Sequence, residues 1–581
     1  MTMEAHRALD DQCYLPARRD FENLVAFFRG PGASLDQRAL EEELDARSKA
    51  LARLLVQGWL HERSRADERE YLQAPIPKGV DARSHTRQIE TCFGRVSLRR
   101  YGYKVDGQPR NYPLDKQLSL PAKIYSQPLQ QRVVEEARDR SWDRVREQVD
   151  RRTGGHVPKR QAQEIAIDVT RDVDTFYKQR EPAKPMSQTA LLLGSVDCTG
   201  VRMLPEALRE ATRKAAAAEK AAAVRGDPMA RKKLRTHDKR MAVVTATWEQ
   251  EPEPRKGSDI VSELNRMPKG AVKSKEVGKS ALQSSDTPVS TESPKTREDV
   301  PEAMRTAEAK ECEAGKSAPR PQDTPPSAGA GEPQKARPVS APDGAPKAKG
   351  RRARKTSRPQ NKRVTASVQK SVPMAVAEMF DELEHRDPER ARKVGVLVDG
   401  DEKQQTAILD EGQKRRRTFV LILDIIHVIH YLWLAGYALC HKNKGATETW
   451  LSIHLLMLLT SPVATVIAAI ETAAETKRLS KSARKSVDKA LGYLRRNAPF
   501  MDYARYLAEG FPIATGIIEG TCRFLIKDRL GITGAKWGLE GAEAMLRLRA
   551  LYSSGDWDDY WRFHLKQEAL RNYAAEAPKA A

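Results

Sequence analysis

Residues 252–362 cannot be packed into a core, and this governs how the rest of the chain must be read. The segment runs from PEPRKGSDIVSELNRMPKG to KAKGRRARKTSRPQNK, rich in Pro, Ser, Lys, Glu and Gly and nearly free of aromatics. It holds too little apolar surface to offset the entropy of ordering it. The expectation is a disordered basic insertion, with a cationic end suited to non-specific phosphate contact or simply to solubility. The β-rich runs on either side then belong to one interrupted sheet.

Five such runs occur: 190–197 (ALLLGSVD), 240–249 (RMAVVTATWE), 363–369 (RVTASVQ), 393–399 (KVGVLVD) and 418–424 (TFVLILD). Helices fit 372–386 and 402–414. The order β-β-β-α-β-α-β predicts an antiparallel meander followed by αβ units. That is an α/β, ribonuclease-H-like core, built from 186–251 and 363–433. Residues 434–512 and 513–575 are expected to be helical. The apolar stretch 449–472 is broken by His454, Ser461 and Pro462, so it is read as a core helix pair rather than a membrane span.

The first part of the chain is predicted to be an α+β DNA-binding region. Residues 1–75 are charged, and 36–66 have the spacing of one amphipathic helix. In 76–185, the alternation over 88–104 around Gly94 predicts a hairpin. Helices follow at about 125–138 and 141–152, with a third from Pro158. The Gly-containing break before Lys159 and Arg160 is compatible with a helix-turn-helix, and equally with a plain helical hairpin.

Lys and Arg number 101 against 79 Asp and Glu, a formal charge of +22. This favours a polyanionic partner, above all nucleic acid. Six scattered cysteines show no CxxC, which leaves a structural zinc site unsupported and a reducing, cytoplasmic compartment expected. The start MTMEAHRALDDQC lacks a secretory signal, and neither GxSxG nor GxxxxGK[ST] occurs.

Two runs close on an acid at a sheet rim, Asp197 and Asp399. A single such Asp ordinarily caps the next element. Excising 252–362 leaves roughly 90 positions between the pair, an ordinary separation within one sheet. Asp401 and Glu402 compete locally with Asp399, which has the better claim because it closes the apolar run. The third acid is Glu519 in GIIEGTCRFLIKDRLGITGAKW, on a helix with Arg523 and Lys527 following. Three carboxylates suit Mg²⁺, which takes oxygen ligands and substrate phosphates. Asp424 and His427 form either a functional pair or a capping acid beside a satisfied histidine.

The run ATGIIEGTCRFLIKDRLGITGAKWGLEGAEAMLRLRALYSSGDWDDYWRFHLKQE resembles the end of bacterial insertion-sequence transposases of the ISKra type, relatives of the Mutator-like superfamily. SVDCTGVRMLPEALRE resembles their first-Asp segment, VLVDGDEKQQ their second, and LDIIHVIHYLWLAGYAL the segment after it. The resemblance spans about 190–250 and 363–573, and more weakly 85–180. It implies an all-helical insertion, 434–512, before a catalytic helix and tail, 513–575, and that Asp197, Asp399 and Glu519 are a DDE triad holding two Mg²⁺ (or Mn²⁺) ions. It implies a supporting role for Asp424 and His427, and contacts to DNA ends by Arg523, Lys527, Arg529, Lys536 and Trp537. Cys198 stands where Gly is expected and Asp401 where a small apolar residue is expected. RRYGYKVDGQPRNYPLD lacks the cysteines many relatives carry.

The expected function is therefore a DNA transposase that binds double-stranded element ends and target as a homodimer or higher synaptic assembly, nucleoid-associated and without a membrane. The alternative is a catalytically inactive, transposase-derived DNA-binding protein. A membrane-associated protein built around 449–472 is a third and weaker reading.

Overall fold

The structure is a computed structural model that describes residues 12–73, 75–225, 238–266 and 358–573. The disorder expected over 267–357, with most of its basic end, lies outside the described residues.

A two-stranded hairpin and a five-stranded sheet make up the β structure of the described residues. The hairpin strands β1 (Val80–Thr91) and β2 (Gly94–Val105) pair antiparallel. They pack against the helix Gln37–Gln73, with Leu60, Ile89, Val96, Leu98 and Leu114 as a small separate core. The predicted helix over 36–66 is thus longer at its C-terminal end, and a further helix, Leu15–Arg29, precedes it.

The larger sheet contains β3 (Leu191–Arg202), β4 (Lys239–Gln250), β5 (Gln360–Ser367), β6 (Val394–Val398) and β7 (Val420–Leu423) in the order β5-β4-β3-β6-β7. β4 runs antiparallel to both neighbours, while β3, β6 and β7 are mutually parallel. All five residues of β6 are buried, as expected for a central parallel strand covered on both faces. The helices Val372–Arg386 and Glu402–Lys414 fall where their apolar spacing predicts them. Leu539–Ser554 packs on β5, where Glu543 Oε2 accepts from Ser367 Oγ and the Val368 amide, both at 2.9 Å.

Four features depart from the sequence expectation. β3 does not stop at Asp197 but continues to Arg202 as a ribbon with β4. A helix, Glu210–Val224, lies between β3 and β4; its Ala-rich sequence has high intrinsic helix propensity, a signal passed over in reading a bare meander. Order also extends into both ends of 252–362, because a helix forms at Gly257–Arg266 and β5 begins at Gln360. In the first of these, Ile260 turns inward to the main core.

The fourth concerns 76–185, which does not pack as one unit. The helices Gln127–Ala137, Trp142–Arg152 and Lys159–Val169 bury Leu129, Val145, Ile165 and Val169 in the same continuous core as the large sheet. Only the hairpin keeps a core of its own.

After β7 the chain is helical: Ile425–Leu439, Lys444–Thr460, Val463–Thr476 and Lys481–Asn497. The break at Ser461 and Pro462 divides the apolar stretch in two, and no helix among the described residues is long and apolar enough to cross a membrane.

A candidate acidic site at the end of the parallel strands

β3 and β6 pair in parallel as far as Ser195 and Leu397, a step fixed by Ser195 Oγ donating to the Leu397 carbonyl at 2.9 Å. Asp197 and Asp399 each lie two residues further on. Because side chains alternate along a strand, both carry the orientation of that last registered pair. The end of β6, rather than the end of β3, creates the rim they share.

Asp399 is followed by a turn whose geometry sorts the local acids. Gly400 has φ +95°, and a β-carbon there would lie 2.8 Å from the Tyr493 hydroxyl. That hydroxyl donates to the Asp399 carbonyl at 3.0 Å, across from Lys481–Asn497. Asp401 is the N-cap of Glu402–Lys414, its Oδ1 accepting from the amides of Lys403 at 3.0 Å and Gln404 at 3.1 Å. Its own amide donates to Asp399 Oδ1 at 2.9 Å. Oδ1 of Asp401 is thus taken up by capping and Oδ1 of Asp399 by the Asp401 amide, while the second oxygen of each accepts from no protein donor among the described residues. Burial raises the Asp399 pKa, and the charges of Asp197 and Asp401 raise it further against the opposing Asp401 amide and His427.

Glu519 is exposed on the short helix Gly516–Cys522. The helix is tied to the sheet at two points. Cys522 Sγ donates to Asp197 Oδ2 at 3.1 Å, and the Cys198 amide donates to Oδ1 at 2.6 Å. Burial first, and then Asp197, push the Cys522 thiol well above its usual range, so it stays a protonated donor. At the other end of the helix the Thr515 hydroxyl donates to Asp424 Oδ2. The helix then continues through Arg523–Lys527 as a π-helical turn, a local irregularity often found at functional sites.

Asp424 is buried, caps Ile425–Leu439 through the Ile426 amide at 2.9 Å, and faces His427 Nδ1 at 3.3 Å. Burial opposes charge on His427. The bond to Asp424 and the charges of Asp424, Asp399 and Glu519 outweigh it, and the pKa is pushed up to about 9. The charged imidazolium is thus favoured by Asp424, Asp399 and Glu519. A cation so held balances negative charge at the rim.

Carboxylate oxygens, the donors this rim offers, are the ligand type a hard cation such as Mg²⁺ takes. The side chains do not close on one ion as placed. Among the described residues, no group of three or more His, Cys, Asp or Glu side chains has metal-binding geometry.

The remaining candidate residues divide by exposure. Arg523, Lys527, Lys536, Lys159 and Arg160 are exposed. Arg523 lies 3.6 Å from Asp528, Lys159 bonds Asp143 at 2.9 Å, and Arg160 pairs with Glu164 at 3.3 Å. Arg529 and Trp537, expected to contact DNA ends, are buried. Arg529 is 2% exposed, donates to the Ala137 carbonyl at 2.9 Å, and sits over the Trp142 and Trp537 rings. Burial, then the charge of Arg549, brings its pKa down to about 10. Trp537 Nε1 donates to the Leu530 carbonyl at 3.0 Å. These two join the C-terminal run to the helices around Trp142.

Sequence reasoning missed Cys522, Thr515 and Tyr493. Cys522 and Thr515 stand within about one turn of Glu519, close enough to have been weighed with it. Tyr493 offered only an aromatic on an otherwise Lys/Arg-rich helix. No protein-family model and no curated protein matches this chain.

Proposed function

We propose that this protein is a DNA transposase with a ribonuclease-H-like core, in which Asp197, Asp399 and Glu519 form the catalytic acids. One observation carries the reading: Asp197 and Asp399 stand two residues past the last registered pair of adjacent parallel strands, with the Glu519 helix bonded to Asp197 through Cys522. The strand order β5-β4-β3-β6-β7, with β4 alone reversed, supports the same reading.

Asp197, Asp399 and Glu519 would hold Mg²⁺ (or Mn²⁺), which when bound supplies Lewis-acid stabilisation of the attacking and leaving oxygens at phosphorus. The residues themselves set up the rim. Asp424 and Thr515 fix the start of the Glu519 helix, and Cys522 fixes its end. His427 offsets the negative charge at Asp399. Arg523 and Lys527 present cations to the DNA backbone beside Glu519, giving register without sequence reading. The reaction is hydrolysis at the element boundary, then attack of the freed 3′-hydroxyl on target DNA. Two ends held together call for a dimer or larger assembly.

The test is strand cleavage of the flanking inverted-repeat DNA with Mg²⁺, comparing wild type with Asp399→Asn and Asp399→Ala. Loss of cleavage in both variants, with DNA binding retained, is expected. Equal cleavage by all three proteins sinks the assignment.

A second reading, a DNA-binding protein without catalysis, is favoured by one fact: the three acids do not meet around a single ion among the described residues. DNA binding by wild type with no cleavage under any divalent ion would select it.

A further inference from the structure

The helix Lys481–Asn497 carries Lys481, Arg484, Lys485, Lys489, Arg495 and Arg496 against one acid, Asp488. Two of its cations are paired: Arg495 with Glu471, and Arg484 with Asp488 at 3.9 Å. Lys485, Lys489 and Arg496 are exposed and differ in position by four and seven residues. At 3.6 residues per turn they lie within about 40° of one line along the helix, and the paired arginines lie about 80–100° to the side of Lys485. Gly492 falls on the same line, and a β-carbon there would meet nothing within 4 Å. Like charges one turn apart on a helix repel, so this face gains from an anionic partner.

The stripe ends at the acidic rim. Arg496 lies 6.0 Å from the Tyr493 ring centroid, Tyr493 stacks on Tyr431 at 3.7 Å, and the Tyr493 hydroxyl holds the Asp399 carbonyl. Lys489 is near enough to His430 to lower its pKa, after burial and His427. Arg523 and Lys527 flank the site from a different element. A row of point cations leading from open surface toward the proposed cleavage centre suits the charge of a nucleic-acid backbone rather than a single acidic protein group.

We infer that Lys485, Lys489 and Arg496 form a phosphate track that leads the DNA backbone to Asp399. The inference rests on the proposed function and adds a specific path to it. The track binds without sequence preference and acts as a positioning surface.

The experiment measures binding of a fluorescein-labelled duplex of random sequence across a salt series. It compares wild type, the triple variant K485A/K489A/R496A and the off-line control R484A/R495A. Melting curves confirm that each is folded; alanine at exposed helix positions does not weaken the helix. The triple variant is expected to flatten the slope of log K against log salt by about 2–3, near 0.9 for each phosphate no longer neutralised, and the control by less than about 0.5. An unchanged slope in the triple variant, or an equal loss per charge in the control, overturns the track while leaving the transposase reading intact. Failure of wild type to bind duplex at all overturns both.

Discussion

The Cys522 thiol donates to Asp197 Oδ2 at 3.1 Å, bridging 325 positions of sequence and fixing the helix that carries Glu519 against β3. Cys522→Ala removes the donor and frees the end of that helix. It is expected to cost about 2 kcal/mol in denaturant melts, the scale of a buried bond to a charged acceptor. Cleavage should fall at least about tenfold, since roughly 1.4 kcal/mol of misplacement suffices. Cys522→Ser keeps a donor and should recover most of both. Wild-type cleavage by Cys522→Ala would show the bond to be incidental.

The sign of the His427 effect on stability follows from its raised pKa. The folded-state value, about 9, stands above the ordinary value near 6.5. The charged imidazole therefore stabilises the fold fully below about pH 6.5, and this contribution is lost as pH rises through about 9. Urea melts without divalent ions should show wild type losing stability across that window relative to His427→Gln. The expected loss is on the order of 2 kcal/mol, discounted for a side chain 30% exposed. Parallel pH profiles for the two proteins would refute the ion-pair account.

Gly400 combines a left-handed backbone with the close approach of Tyr493. Gly400→Ala meets both penalties, about 1–2 kcal/mol for the backbone alone. Because the strain falls beside Asp399, the cleavage rate should drop more than stability does. Tyr493→Phe removes the hydroxyl and should relieve part of the clash in the double variant. Additive effects in this double-mutant cycle would count against the contact.

Arg529 and Arg523 lie only six positions apart in the same basic run, yet they should behave oppositely. Arg529→Ala breaks a buried bond and a stack on two tryptophans, with an expected loss of about 3 kcal/mol or more, roughly that of breaking a buried charged network. The salt slope of DNA binding should not change. Arg523→Ala together with Lys527→Ala should leave the melt within about 0.5 kcal/mol and flatten the slope by about 2. A flatter slope in Arg529→Ala would return that residue to the surface role.

Local sequence determined a good deal. The apolar runs placed the five strands, and the spacing over 372–386 and 402–414 placed two helices closely, because burial of one face writes a period into the chain. Asp197 and Asp399 stand out in sequence as acids closing apolar runs, and Glu519 through the motif around it. Pairing partners were not. Asp197 looked like a strand end, yet β3 continues to Arg202, because the rim is set by β6 stopping at Val398 and not by anything in 190–202. Sequence favours Asp399 over Asp401 only because it closes the apolar run, and the cap on Glu402–Lys414 is what gives the second a structural role. Arg529 and Arg523 read alike as cations of one motif, and burial against Trp142 alone distinguishes them. Periodicity reports which face of an element is covered, since that depends on nearest neighbours along the chain. What covers it, and which distant hydroxyl, thiol or carbonyl meets a given acid, depends on contacts between segments far apart in sequence, and only the tertiary structure decides those.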